Sequence, residues 1–282
     1  MSNRRTMTFA QHASRSWHGI SLAIALVLGV VAPASAQTAL GTAQQFGVLG
    51  ASTVTNTGPT TIDRSLGVYS GLAITGLSSI TVGGSVHLGD AVAQQAQSDA
   101  RTAYTALGLL PFTTDLSGQN LGGMTLTPGV YFFSSTAQLT GNLFLDFLGS
   151  AGSTFVFQIG SALTTASGST VSALNGGPFA DVFWLVGSSA TLGTGSTFQG
   201  TIIADQSISI LSGARITCGR AIAMVGQVSM DTNVISSDDC ASAAVPVTAT
   251  PEPATLGLLA FGCVALFGVV RRRGVVARLA TV

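Results

Sequence analysis

The chain predicts an all-β fold, an irregular solenoid of stacked coils with one long α-helix packed alongside. Three observations predict it. A hydroxyl-rich line ending at a corner residue recurs through the second half, apolar runs of strand length separate those lines, and one stretch alone has helical spacing. The lines are Ser161-Ala-Leu-Thr-Thr-Ala-Ser-Gly168, Ser188-Ser-Ala-Thr-Leu-Gly-Thr-Gly195, Gln206-Ser-Ile-Ser-Ile-Leu-Ser-Gly213 and Gln227-Val-Ser-Met-Asp-Thr-Asn233. Aligned on Gly168, Gly195, Gly213 and Asn233, they end on residues that tolerate positive φ, as a sharp corner requires. Self-similarity near a period of 18–27 residues marks a solenoid, and the uneven spacing makes its coils irregular.

Composition agrees. The 282 residues include 35 glycines, 8% are charged and 46% hydrophobic, there is no lysine, and Glu252 is the only glutamate. A Thr-rich, Gly-punctuated chain of low charge fits an exported all-β protein better than a helical enzyme or a disordered tail. Seven of the eleven arginines lie at the two ends. Between Gln37 and Thr250 ten aspartates face four arginines, and an acidic body without a basic stripe argues against nucleic acid.

In chain order, residues 1–36 read as a secretory signal. Arg4, Arg5 and Arg15 precede an apolar run over 20–31, and Ala34-Ser35-Ala36 supplies a small-residue cleavage site. The mature body is expected over 37–244. Its first part, 46–90, alternates short β-prone runs with Gly, Asn and Pro turns, as a solenoid or a sandwich would. Residues 90–107 then carry Val92, Ala96, Ala100, Ala103, Tyr104 and Leu107 at helical spacing. Asp90 can cap this helix, Gly108 can end it and Pro111 blocks its continuation. Its apolar stripe needs a partner, and four runs offer one: Phe155-Val-Phe-Gln-Ile159, Val182-Phe-Trp-Leu-Val186, Ile202-Ile-Ala204 and Ala221-Ile-Ala-Met-Val225. Continuous apolar runs imply a sheet covered on both sides. Each coil therefore has three faces: one under the helix, one carrying the hydroxyl lines, and a short one after each corner. Residues 121–148 add a further coil with Thr136-Ala-Gln-Leu-Thr-Gly141 as its hydroxyl line.

A Pro/Thr/Ala linker leads into Pro251-Glu252-Pro253, an apolar run over 254–270, and Arg271-Arg272-Arg273. About 20 apolar residues span a bilayer, so 254–270 is just long enough, and the arginines would stay on the cytoplasmic side. These three parts in this order resemble the PEP-CTERM sorting signal of Gram-negative bacteria. The resemblance implies recognition of residues 245–282 by an exosortase-type membrane enzyme. It also implies transient anchoring in the inner membrane and a final place at the cell surface or outside the cell.

The body resembles a second family. Phe46-Gly-Val-Leu-Gly-Ala-Ser-Thr-Val, Leu126-Thr-Pro-Gly-Val-Tyr131 and the hydroxyl lines with their preceding apolar runs are similar to the DUF3494 ice-binding-protein-like domain over 46–236. That resemblance implies a discontinuous right-handed β-solenoid of triangular section. It also implies adsorption to an ice crystal through a flat Thr/Ser face, with no cofactor. Counting four back from each corner gives Ala137, Thr164, Thr191, Ser209 and Ser229, flanked by larger apolar residues, so strand alternation turns this column outward. The expected ice-binding set is Thr164, Ala166, Thr170, Thr191, Gly193, Thr197, Ser209 and Ser229. Arg215, Leu211 and Asp231 interrupt it toward the C-terminal end. The alternative reading is a surface or biofilm-matrix structural protein of the same fold, with extracellular polysaccharide as a partner and no action on ice.

Catalysis has little to build on. His87 is the one histidine of the mature body, so no serine gains a triad. Asp146, Asp181, Asp205 and Asp231 fall at different offsets, which suits turn and capping roles better than a carboxylate pair. No Cys/His spacing for a metal occurs. In an exported chain Cys218 and Cys240 either pair as a disulfide or remain two buried thiols.

Overall fold

In a computed structural model, the protein is described over residues 39–150, 153–175 and 181–237. The expected signal peptide, Cys240, the linker with Pro251, Glu252 and Pro253, and the tail with Arg271, Arg272 and Arg273 lie outside the described residues.

Among the described residues, twenty-four short strands form three sheets of nine, seven and eight strands, and every strand pairing is parallel. Successive strands of one coil fall in different sheets, as Thr201–Ala204, Ile208–Ile210 and Arg215–Thr217 do, so the chain winds as a three-sided stack. Sharp turns separate the sides. Gly168, Gly195 and Gly213 sit at φ 68°, 64° and 70°. The fourth corner differs from expectation: Thr232, not Asn233, holds positive φ at 54°. One residue fewer joins Met230 to Val234 than joins Ile210 to Arg215, so the strands stay in register while the bend moves back by one. Asn233 is instead buried. Its amide donates to the carbonyls of Leu211 and Ala214, each at 2.9 Å.

The stacking order is not the chain order. In the seven-stranded sheet the sequence is Ala137–Leu139, Leu163–Thr165, Ala190–Leu192, Ile208–Ile210, Val228–Asp231, then Thr53–Thr57 and Ala73–Thr75. The N-terminal coils thus continue the stack beyond the last C-terminal coil. The chain then returns along the stack as helix α1, Ala91–Gly108. Eighteen residues rise about 27 Å, enough to pass most of a nine-stranded sheet whose strands are about 4.8 Å apart.

Asp90 caps α1, its carboxylate accepting from the Ala93 amide at 2.8 Å. The buried stripe is Ala93, Ala96, Ala100, Ala103 and Leu107, with Gln97; Val92, expected inside, is exposed. Alanines at these positions let the helix lie close on Phe46, Leu49, Val156, Phe183, Leu185, Ile203 and Ile222. The last five of these come from the continuous apolar runs, so the nine-stranded sheet is covered on both sides as expected. The opposite side faces the interior. Tyr131, Phe157, Trp184 and Phe198 run through it, Phe157 and Trp184 stacking at 3.8 Å between ring centres. Each such side chain, removed from water, stabilises the fold by roughly 1.5–3 kcal/mol.

Candidate functional site: the hydroxyl ladder

In the seven-stranded sheet, alternation decides which side chains meet water. Thr164 is exposed between buried Leu163 and Thr165. Thr191 and Ser209 are half-exposed between Ala190 and Leu192 and between Ile208 and Ile210, and Ser229 is half-exposed between Val228 and Met230. Strand pairing sets them side by side: Thr164 against Thr191, Thr191 against Ser209, Ser209 against Ser229. The ladder extends past the residues chosen from the repeat. Ser229 pairs with Thr55, and Thr55 with Thr75; at the other end Thr164 pairs with Gln138. Seven outward side chains result, six of them hydroxyls and none charged. Neighbouring rungs are about 4.8 Å apart.

The remaining expected positions are distributed differently. Ala137 is fully buried and Gln138 takes its outward place, because only two residues join Leu139 to Asn142 where four join Thr165 to Thr170. Thr170 pairs with Thr197, and Thr197 in turn with Arg215, but in the eight-stranded sheet, around the Gly168 and Gly195 corners from the ladder. They belong to a separate face. Ala166 lies half-buried at the ladder's border. Gly193 is buried, its amide donating to the Thr165 hydroxyl at 2.8 Å. A Cβ there would lie 2.6 Å from the Thr165 carbonyl oxygen, so glycine is required by close backbone approach and presents nothing outward.

Leu211 and Asp231 interrupt the border row as expected. Leu211 is 42% exposed, and Asp231 pairs with Thr57 and accepts from the Thr232 hydroxyl at 3.0 Å. Thr55 and Thr75 were not singled out from the sequence. The line Thr53-Val-Thr-Asn-Thr-Gly58 carries the same signature as the later hydroxyl lines, but nothing local says which coil it stacks on.

Asp146 and His87, two polar groups weighed for chemistry, have structural partners. Asp146 accepts from the Leu148 amide at 2.9 Å and from Asn175 at 3.0 Å, and these bonds hold its carboxyl below the usual carboxylate range. His87 meets Asp90 at 2.7 Å beside the helix start. Among the described residues no three His, Cys, Asp or Glu side chains gather as metal ligands, and no helix is long and apolar enough to cross a membrane.

Residues 48–236 match the family model described as ice-binding-like. The chain belongs to that ice-binding-like family. The match runs from within the first strand to just past the last. An ice-binding protein of Nostoc sp. (strain HG1) is 50% identical over 258 residues, covering 88% of this chain and 95% of that protein. Two crystal structures of family members share the fold. An ice-binding protein from an Antarctic biological consortium superposes with a TM-score of 0.67 at 40% identity, over 70% of this chain and 89% of that one. The ice-binding protein of the ascomycete Antarctomyces psychrotrophicus does so with a TM-score of 0.67 at 38% identity, over 70% and 97%. Residues 249–273 match the PEP-CTERM protein-sorting motif, a mark of export.

Proposed function

We propose that this member of the ice-binding-like family is an exported protein that adsorbs to ice through the ladder from Gln138 to Thr75. The unbroken register of seven uncharged outward side chains carries the reading. Methyl groups on a regular backbone hold water weakly, while hydroxyls at a fixed spacing order it. Water ordered at the spacing of an ice plane freezes into that plane, and the bound protein pins the growing surface. A carboxylate in the ladder would bind water in its own geometry and break the array. The work is binding, and no step needs a nucleophile or a cofactor.

The ice-binding names of the Nostoc and Antarctomyces proteins support the same target. The match at residues 249–273 supports handling by an exosortase-type enzyme, with the apolar run at 254–270 holding the chain in the inner membrane until then. The test is recrystallisation of a frozen sugar solution with the secreted protein present. Ice grains should stay small at low protein concentration. Grains that coarsen as fast as with an inert protein at the same high concentration would refute the proposal.

A further inference from the structure

The two ends of the stack differ. At one end the short coil Thr114–Leu126 closes the interior, with Leu116 and Leu121 buried. Its strands Thr114–Asp115 and Thr125–Leu126 have two residues each, and a single bridge joins Asn120 to Gln138. Short edges that carry a charge, here Asp115, resist pairing with another chain.

At the other end, nothing among the described residues pairs with the last coil. Ala73–Thr75, Ile80–Val82 and Val86–Leu88 are the terminal strands of the seven-, eight- and nine-stranded sheets, three residues each. From Ser65 to Gly89 there is no Asp, Glu, Lys, Arg or Pro, so this end lacks the charges and prolines that blunt a free edge. Val86, Leu88 and Val92 are exposed here, and Leu72 is 73% exposed. Alternation is fixed at all three edges. Ile74 pairs with Val54, Val82 with Ile62, and Val86 and Leu88 with Leu66 and Val68, all of them interior residues. Ile80 also packs on the interior. Ala73, Thr75, Thr81 and His87 therefore point away from it.

We infer that a second copy of this chain covers that end, related by a twofold axis perpendicular to the ladder sheet. Twofold rotation reverses the direction of the coil, so each pair of edges meets antiparallel. With the axis through the ladder sheet, Ile74 meets the second copy's Ile74, and Ile80–Val82 meets the second copy's Val86–Leu88. Inward residues then oppose inward residues at all three edges. An axis through either other sheet sets Ile74 opposite Thr81 or His87, which point the other way. Pairing gives the free backbone groups of these edges partners and covers the open interior. Each edge is about 10 Å long, so the patch is well below the roughly 800 Å² per partner of a standard interface. Association is therefore weak and concentration-dependent. It sets both ladders in one plane, facing the same way. On the ice-binding reading above, which this consequence rests on, the pair adsorbs more firmly than one chain.

Sedimentation of the secreted protein should show monomer at about 1 μM and a growing dimer fraction toward about 1 mM, as so small an interface allows. Leu88→Lys, at an exposed position, should move that transition at least tenfold upward with circular dichroism unchanged. Ile74→Cys treated with oxidised glutathione should form a disulfide dimer above the wild-type background. Facing residues of an antiparallel pair have Cα atoms about 4.5–5.5 Å apart, within disulfide reach. Thr81→Cys should not cross-link. The linked Ile74→Cys dimer should inhibit recrystallisation at several-fold lower chain concentration than its reduced form. Monomer at every concentration, assemblies longer than two, or cross-linking by Thr81→Cys in place of Ile74→Cys would each overturn the pairing. So would Ile74→Cys shielded from maleimide in a monomer, which would give this end to other residues of the same chain. Failure of the pairing beside normal inhibition leaves the ice-binding reading intact. A dimer formed as described but without effect on ice supports the pairing and removes that reading.

Discussion

The hydroxyls of Ser209 and Ser229 stand on adjacent rungs of the ladder and bond to each other, Ser229 donating at 3.2 Å. This pair spends its hydrogen bonding within the protein and adds no methyl group, unlike the threonines at Thr164 and Thr191. Replacing both serines by threonine restores the methyl row and adds β-branched side chains suited to a strand. The double variant should inhibit recrystallisation at several-fold lower concentration. Cross-strand threonine pairing should leave stability equal or higher by about 0.2–1 kcal/mol. Unchanged inhibition by the double variant would mean that methyl regularity is not what the face supplies.

Thr191 and Thr197 are six residues apart but on different sheets, which separates two candidate surfaces cleanly. Thr191→Tyr places a ring in the middle of the ladder and should weaken inhibition at least tenfold. Thr197→Tyr should leave it within about twofold, since each 1.4 kcal/mol of binding is a factor of ten and this face contributes none. Circular dichroism should show both variants folded. The reverse result would move the ice-binding face to the eight-stranded sheet.

How much of this was legible in the sequence follows from which constraints are local. The solenoid, its three faces, the helix with its Asp90 cap and the outward turn of Thr164, Thr191, Ser209 and Ser229 all follow from alternation and spacing within a coil. Failures came where the answer depended on another coil. Thr55 and Thr75 join the ladder only because the N-terminal coils stack under Val228–Asp231, a pairing between segments more than 150 residues apart. Ala137 and Asn233 were misplaced because corner length varies while strand register does not. Gly193 looks like a small surface residue in sequence; the Thr165 and Ala166 backbone that crowds it becomes visible only in three dimensions.

That crowding at Gly193 makes a stability prediction. Gly193→Thr would complete the hydroxyl pattern on paper, yet its Cβ would lie 2.6 Å from backbone atoms of two residues. Overpacking of this kind costs about 1–3 kcal/mol, and in a domain of this size each kcal/mol lowers Tm by roughly 2–4 °C. Calorimetry should show the loss with no gain in inhibition. An unchanged Tm would mean the neighbouring coil yields freely.

Trp184 is the side chain most deeply involved in the interior, stacked on Phe157 and tilted against Phe198, with its indole N–H donating to the Gln199 carbonyl at 3.0 Å. Trp184→Ala should cost about 3–5 kcal/mol. Trp184→Phe keeps most of the stack and loses the hydrogen bond, about 1 kcal/mol plus the unsatisfied carbonyl. Denaturant unfolding of the two variants should give clearly separate midpoints. If they coincide, the stack contributes nothing beyond the bond.

Acid should act through the carboxylates that hold the helix. Asp99 accepts from the Thr42 hydroxyl and amide, each at 2.7 Å, and from Gln95 at 2.8 Å, and these bonds keep its carboxyl below the ordinary carboxylate range. Asp90 is lowered in the same way, first by the Ala93 amide and then by His87. A carboxyl lowered in the folded state favours folding while ionised. Its contribution is complete above the unfolded value, about 3.9, and disappears as pH falls through that value toward the lower folded one. Tm should therefore show little contribution from these carboxyls between about pH 7 and 5 and drop below about 4. Asp99→Asn, which removes the titrating group that ties Thr42 to the helix, should be less stable than wild type at pH 7 but lose less between pH 5 and 3. Asp90 and Asp146, lowered first by backbone amides, and Asp115, lowered first by the Ser117 side chain, keep the remaining acid slope. Equal acid slopes for Asp99→Asn and wild type in thermal melts would show that the Thr42 clamp contributes nothing to acid sensitivity.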